Sequence, residues 1–212
     1  MQNNTENDDW TIVKNGSRRG TKSKALSKKV GHDEKLKSNN TTLEVAPEIE
    51  KSDIESIITI IHTNVAALEG MQFAKDAIDQ VLSHIRNSAN SSFAKTLQIT
   101  ALGIGNFTDT INSQWQFAFL LLLLKTLRDS ASFTEVSLSC FEPQFGPNEL
   151  RICKTLDIEV LKENNKGLFD LGDDNGDTWR VYYMPHCPYR LYCNLLWSTW
   201  FALPNTILIG NR

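Results

Sequence analysis

Met184-Pro185-His186-Cys187-Pro188 gathers more chemically able groups than any other stretch of the chain. A cysteine at the start of a helix has its thiolate favoured by the helix dipole. Cys187 therefore reads as a nucleophile, a redox thiol, or a ligand to soft metals and haem iron. His186 beside it is suited to ligation or proton shuttling. Cys-Pro pairs recur in haem-responsive regulatory segments, which makes haem ligation by Cys187 a specific expectation. A plainer reading stands level with it: two prolines fix a rigid turn in which His186 and Cys187 pack or hydrogen-bond locally. Cys140 and Cys193 lie at spacings that do not suit a zinc site with this pair.

Gly103-Ile104-Gly105-Asn106 is the second candidate. Two glycines between a strand and a helix let a ligand approach the backbone, with helix N–H groups facing it. Thr108 stands where a dinucleotide fingerprint has its third glycine, and the acidic residue Glu142 follows Gly105 by 37 positions instead of about 20. The motif is thus a weak nucleotide signal, and a tight turn that simply needs glycine explains it slightly better. The pairs Asp8-Asp9 and Asp173-Asp174 fall in polar stretches and read as solvated charge. Neither a Ser–His–Asp order nor a G-x-x-x-x-G-K-[ST] loop is present. His62 and His84 sit among ordinary helical neighbours.

The elements that must position these residues follow from periodicity. Ser52 with Glu55 reads as a capping box opening a helix whose stripe is Ile54, Ile57, Ile58, Ile61, Val65 and Leu68, stopped at Gly70. Phe73, Ala77, Ile78, Val81, Leu82 and Ile85 define a second amphipathic helix. Strands are expected over 97–102, 135–141, 158–161, 179–184 and 206–209, with helices over 110–128, 149–155 and 189–202. The helix containing Phe117 to Leu124 is apolar nearly all round and must be buried on more than one side. Strand–helix alternation implies right-handed crossovers and a parallel sheet covered on both faces. The fold class is α/β, Rossmann-like, with two N-terminal amphipathic helices. Ligands of such sheets collect beyond the carboxyl ends of the strands. Those ends deliver Gly103, Gly105, Asn106, Glu142, His186, Cys187, Gly210 and Asn211 to one place.

Composition sets the frame. The chain has 212 residues, 41% hydrophobic and 22% charged, which excludes collagen, coiled coil and wholly disordered classes. The run Phe117 to Leu124 is far short of the roughly 20 residues a bilayer span needs, so no membrane association is expected. Met1 to Trp10 resembles no secretory signal. Four cysteines without a C-x-x-C pair suit a reducing compartment. Residues 1–40 hold nine Lys/Arg against five Asp/Glu, the remainder thirteen against twenty. Residues 1–46 therefore read as a disordered basic tail, a solvated linker rather than a nucleic-acid binder, with Trp10 to Val13 as a short extended patch. Residues 47–90 form a helical segment and 91–212 the α/β domain.

Taken together, Leu102-Gly-Ile-Gly-Asn-Phe107, Gln114-Trp-Gln116, Glu142-Pro-Gln-Phe145 with Glu149, Glu163-Asn164 with Gly167, Met184-Pro-His-Cys-Pro188, Leu191-Tyr192, Leu195-Leu-Trp197, Trp200 and Ile209-Gly-Asn211 resemble the sensitivity-to-red-light-reduced (SRR-like) domain family. Asp9-Trp-Thr-Ile-Val13 followed by Arg18-Arg-Gly20 is similar to the start of those proteins. The resemblance implies a non-enzymatic regulator of cytoplasm and nucleus, tied to circadian clock input, light signalling and haem biosynthesis, with protein partners and a haem or nucleotide-like ligand as further expectations. It carries no catalytic residues. A nucleotide- or S-adenosylmethionine-binding enzyme of Rossmann type is the alternative. Glu142 stands where the family usually has Asp, and the family usually continues past Arg212, so the domain reads as shortened at that end.

Overall fold

Every element expected from periodicity forms, and the differences lie at their ends. The computed structural model describes residues 51–88, 96–130, 132–171 and 177–211, which belong to one compact unit. The basic tail and its Trp10 to Val13 patch lie outside the described residues. Helix α1 is Lys51–Gly70 and α2 is Gln72–Asn87. Then come β1 (Thr96–Leu102), α3 (Ile111–Asp129), β2 (Glu135–Phe141), α4 (Pro147–Thr155), β3 (Glu159–Val160), β4 (Thr178–Met184), α5 (Tyr189–Ser198), a 3-10 turn (Trp200–Asn205) and β5 (Thr206–Gly210). Since α1 already includes Lys51, Ser52 lies inside its first turn and is not the N-cap.

The five strands are all parallel, in the order β3-β2-β1-β4-β5. The protein is thus an α/β fold with a parallel sheet flanked by helices. The order runs outward from β1 in one direction and from β4 in the other, so the two central strands form the topological switch point. Leu102 pairs with Phe141, and Met184 with Gly210, which brings the carboxyl ends of β1, β2, β4 and β5 level.

The two faces of the sheet differ, which departs from the expectation of full cover on both. On one face Leu97, Ile99, Leu138, Trp179 and Val181 pack beneath α3, whose Phe117, Leu120, Leu123 and Leu127 are fully enclosed. Burial of each such side chain is worth about 1.5–3 kcal/mol. Helix α2 closes this face over β4, where His84 meets the Trp179 ring edge-on at 5.8 Å. Phe73 does not join its stripe; it is 61% exposed, and Ala74 takes the inward position. On the opposite face, among the described residues, the carboxyl ends are covered where Leu102, Tyr182 and Met184 meet Leu195 of α5, and Arg180 of β4 is also buried. Toward the amino ends, Gln98 and Ser137 are exposed and Thr100 approaches Ser139 at 3.5 Å. That face is hydrophilic because its residues are.

Helix α5 stops earlier than periodicity suggests. Pro204 has no N–H to continue the ladder and its ring opposes an α-helical preceding turn, so the chain tightens to 3-10 from Trp200. Trp197, Trp200 and Phe201 are left exposed there. Among the described residues no helix is long and apolar enough to cross a membrane.

Candidate functional site

At the switch point the β1–α3 loop and the β4–α5 turn are in contact. Gly103 and Gly105 both adopt left-handed backbone, with φ of 70° and 78°. Close approach also demands glycine at each: a methyl built on Gly103 would lie 2.8 Å from the Cys187 Sγ, and one on Gly105 would lie 2.6 Å from the Ser113 Oγ. The Cys187 thiol donates to the Leu102 carbonyl at 3.3 Å. Burial, and after it the Glu142 carboxylate, pushes this thiol up to about 12. The dipole of α5 is outweighed, and Cys187 is a protonated, packed thiol at neutral pH.

Glu142 is placed at the carboxyl end of β2 with both oxygens engaged. One accepts the Gly105 N–H at 2.9 Å and the other the Gln144 N–H at 3.0 Å. In a dinucleotide site the glycine loop offers its amides to a phosphate. Here a carboxylate of the protein takes that place, and its charge opposes a phosphate there. Asn106 shapes the same loop: its Oδ1 accepts the N–H groups of Thr108 and Asp109, both at 3.0 Å, in an Asx-type turn.

The structure adds two residues that were not singled out as site groups. Glu149, 1% exposed, accepts the Thr108 N–H at 3.2 Å, the Thr108 hydroxyl, and the Gly146 N–H at 2.9 Å. It ties the β1–α3 loop to the first turn of α4. The sequence signal was an acid three positions after Gly146, the N3 place of a helix that begins with Pro147. Tyr192 of α5 donates its hydroxyl to the Met184 carbonyl and accepts the Asn211 N–H at 3.3 Å, so it clamps the ends of β4 and β5 together.

His186 and Asn211 are exposed and adjacent, with the histidine Nδ1 3.3 Å from the Asn211 Nδ2. The expected residues thus fall in three groups. Gly103 and Cys187 meet directly, Gly105 and Glu142 meet through a hydrogen bond, and His186 pairs with Asn211. Two cavities flank them. One of about 1020 Å³ lies along β2 and β3 and includes Glu142; one of about 480 Å³ lies between α2, α3 and the ends of β4 and β5 and includes Asn211.

Cys187 does not fit a haem thiolate. An iron ligand needs a deprotonated sulfur with open space before it, whereas this sulfur donates to a carbonyl and is packed on Gly103. Among the described residues no group of three His, Cys, Asp or Glu side chains is placed to hold a metal ion.

With that geometry in view, comparison with known proteins gives the family. Residues 74–212 match the SRR1 domain. The chain belongs to the SRR1 domain family. Among its relatives, the SRR1-like protein of Mus musculus is 33% identical over 123 residues, 57% of this chain and 46% of the mouse protein. The SRR1-like protein of Drosophila melanogaster is 26% identical over 179 residues, 82% of this chain and 58% of the fly protein. The chain thus spans about half the length of these relatives. No solved structure matches it. The matched SRR1 region begins within α2 and takes in the whole sheet and every residue of the switch point.

Proposed function

We propose that this SRR1-family chain is a non-enzymatic regulatory protein, acting in circadian clock input or light signalling and in the control of haem biosynthesis, in cytoplasm and nucleus. Its working surface is the rim of the strands' carboxyl ends, where a ligand or a partner segment docks. The observation that carries this reading is the state of the able groups at the switch point. Cys187 is protonated and bonded to a backbone carbonyl, and Glu142 holds two backbone amides. These groups brace two loops into a fixed shape, which suits recognition better than turnover. Control of haem biosynthesis in this reading acts through binding and needs no haem iron on Cys187.

Complementation tests it. Cells depleted of the protein should lose amplitude or shift phase in clock-gene transcripts and change their haem-pathway transcripts, and the wild-type chain should restore both. His186→Ala with Asn211→Ala, both exposed positions, should accumulate normally and fail to restore. Unchanged rhythms and haem transcripts on depletion would overturn the regulatory reading, and full rescue by the double variant would remove the rim from it.

A further inference from the structure

We propose that the outer edge of β5 pairs with the β5 edge of a second copy of this chain, antiparallel about a two-fold axis at Leu208. The proposal goes beyond the regulatory reading and does not rest on it.

The two edges of the sheet are built differently. One is β3, which is two residues long and begins with Glu159. Shortness and charge are the usual means of keeping an edge strand from pairing. The other is β5, five residues long and matched one to one with β4 from Thr206 to Gly210, without a bulge. Its sequence, Thr206-Ile-Leu-Ile-Gly210, holds no charge and no proline. Among the described residues no strand lies beyond it. In a parallel ladder alternate residues turn both backbone groups to the same side, so β5 directs N–H and C=O groups outward in a row. The shape that satisfies such a row is another strand.

Register, charge and cover select a second copy as that strand. Antiparallel pairing about Leu208 sets Ile207 opposite the partner's Ile209, Thr206 opposite the partner's Gly210, and Leu208 opposite the partner's Leu208. A two-fold brings any charge on the central residue against its like, and this strand has none to bring. Beyond residue 40 the chain holds thirteen Lys/Arg against twenty Asp/Glu, so two copies repel, yet no Asp or Glu occurs from Thr178 to Arg212. The stretch that contains β5 is free of the charge that keeps copies apart. Cover agrees with charge. Ile207 and Ile209 face α3 but are only partly buried, and Leu208, level with Tyr182 on the other face, is 37% exposed. Met71 and Phe73 of α2, 38% and 61% exposed, line one cavity with Ile209 and Gly210. The roof over the sheet thus ends short of β5, and a strand with the same flank would extend it. The edge is about 17 Å long and, with the flank of α2, about 20 Å deep, on the order of 350 Å² per copy. A standard stable interface buries roughly 800 Å² per partner, so this dimer belongs to the reversible class.

Sedimentation equilibrium of the full chain tests the pairing. The wild type should pass reversibly from monomer to dimer, half associated at a concentration on the order of 100 µM. Leu208→Lys and Leu208→Glu each set like charges face to face at the two-fold, and both should stay monomeric well above that concentration. Position 208 is partly exposed, so circular dichroism should show both variants folded. An equimolar mixture of the two should dimerise again, because Lys then meets Glu. Amide exchange in β5 should slow as the wild type is concentrated. A wild type that stays monomeric, a dimer that either charged variant leaves intact, or a mixture of the folded variants that fails to associate would overturn the proposal. So would β5 amides already protected in the dilute monomer, since a segment of the same chain, such as Trp10 to Val13, would then hold the edge.

Discussion

Gly103 and Cys187 act as one unit. A side chain at Gly103 meets two penalties, a left-handed φ of 70° and the sulfur 2.8 Å away. Gly103→Ala should cost about 2–3 kcal/mol, from about 1–2 for the backbone and the rest for the contact. Cys187→Ala alone should cost about 1 kcal/mol, the usual net worth of one hydrogen bond. The double variant relieves the contact and keeps the backbone penalty, so it should cost less than the summed singles by about 1 kcal/mol. Urea unfolding of the four proteins checks the cycle, and strict additivity would show that the sulfur and the glycine do not meet. A pH prediction follows from the same thiol. The proton on Cys187 is held more tightly in the folded chain, whose thiol sits at about 12 against an ordinary 9.0. Tyr183 is shifted the same way by burial, and Cys140 chiefly by its hydrogen bond with Cys153 and by burial. For a raised pKa the stabilisation is complete below the unfolded value and is lost as the pH climbs toward the folded one. Unfolding midpoints should therefore fall from pH 9 toward 12, less steeply in Cys187→Ala, and iodoacetamide at pH 8 should modify exposed Cys193 long before Cys187. The sequence showed that Cys187 stood at the switch point. It could not show that the sulfur would face a carbonyl and a glycine instead of solvent, because both partners lie 80 or more residues away in the chain.

The elements were legible where local pattern and tertiary demand coincide. Strand β2 ends where Glu142-Pro143 breaks it, and β1 ends where Gly103 must take positive φ. Helix α4 shows what was missed. Its start was expected at Glu149, but it opens at Pro147, so Glu149 occupies the third helical position and turns back to the Gly146 N–H. From there it also reaches across 41 residues to Thr108, a contact that no local pattern encodes. Removing this carboxylate leaves the Gly146 N–H without its acceptor and leaves the Thr108 N–H and hydroxyl to Asn106 Oδ1 alone. Glu149→Ala should lower stability by about 2 kcal/mol, and Glu149→Gln, which keeps one acceptor oxygen, by about half as much. Hydrogen exchange should localise the loss to the Gly146 amide, since the Thr108 amide keeps Asn106 Oδ1. Protection retained there in Glu149→Ala would show that the loop and α4 hold their shapes without the bridge.

At the scale of the whole molecule the dominant fact is unequal cover of the sheet. Among the described residues one face is roofed by four helices, whereas the other carries α5 at one end. Periodicity announced the helices but not their distribution, because an apolar stripe says that a helix packs and not on which side of the sheet. The consequence is concentrated at the end of the chain. Tyr189, Trp197, Trp200 and Phe201 are 83%, 80%, 63% and 96% exposed. With about 150–250 Å² per aromatic side chain, these four together present roughly 600 Å² of apolar surface, an amount comparable to the largest apolar patch of a typical monomer. No Asp or Glu occurs from Thr178 to Arg212, so no acidic side chain of that stretch accompanies these aromatics, even though the body as a whole is acidic. At high concentration the protein should therefore show attractive self-interaction by light scattering, and Trp197→Glu with Phe201→Glu should turn it repulsive. Since these side chains face solvent, the double variant should keep its unfolding free energy within about 0.5 kcal/mol of the wild type. Acrylamide should quench Trp197 and Trp200 strongly and leave Trp179, which is fully enclosed, almost untouched. A large loss of stability in the double variant would mean that the aromatics belong to the fold's own packing, and the second face of the sheet would then have to be better covered than its exposed Gln98 and Ser137 indicate.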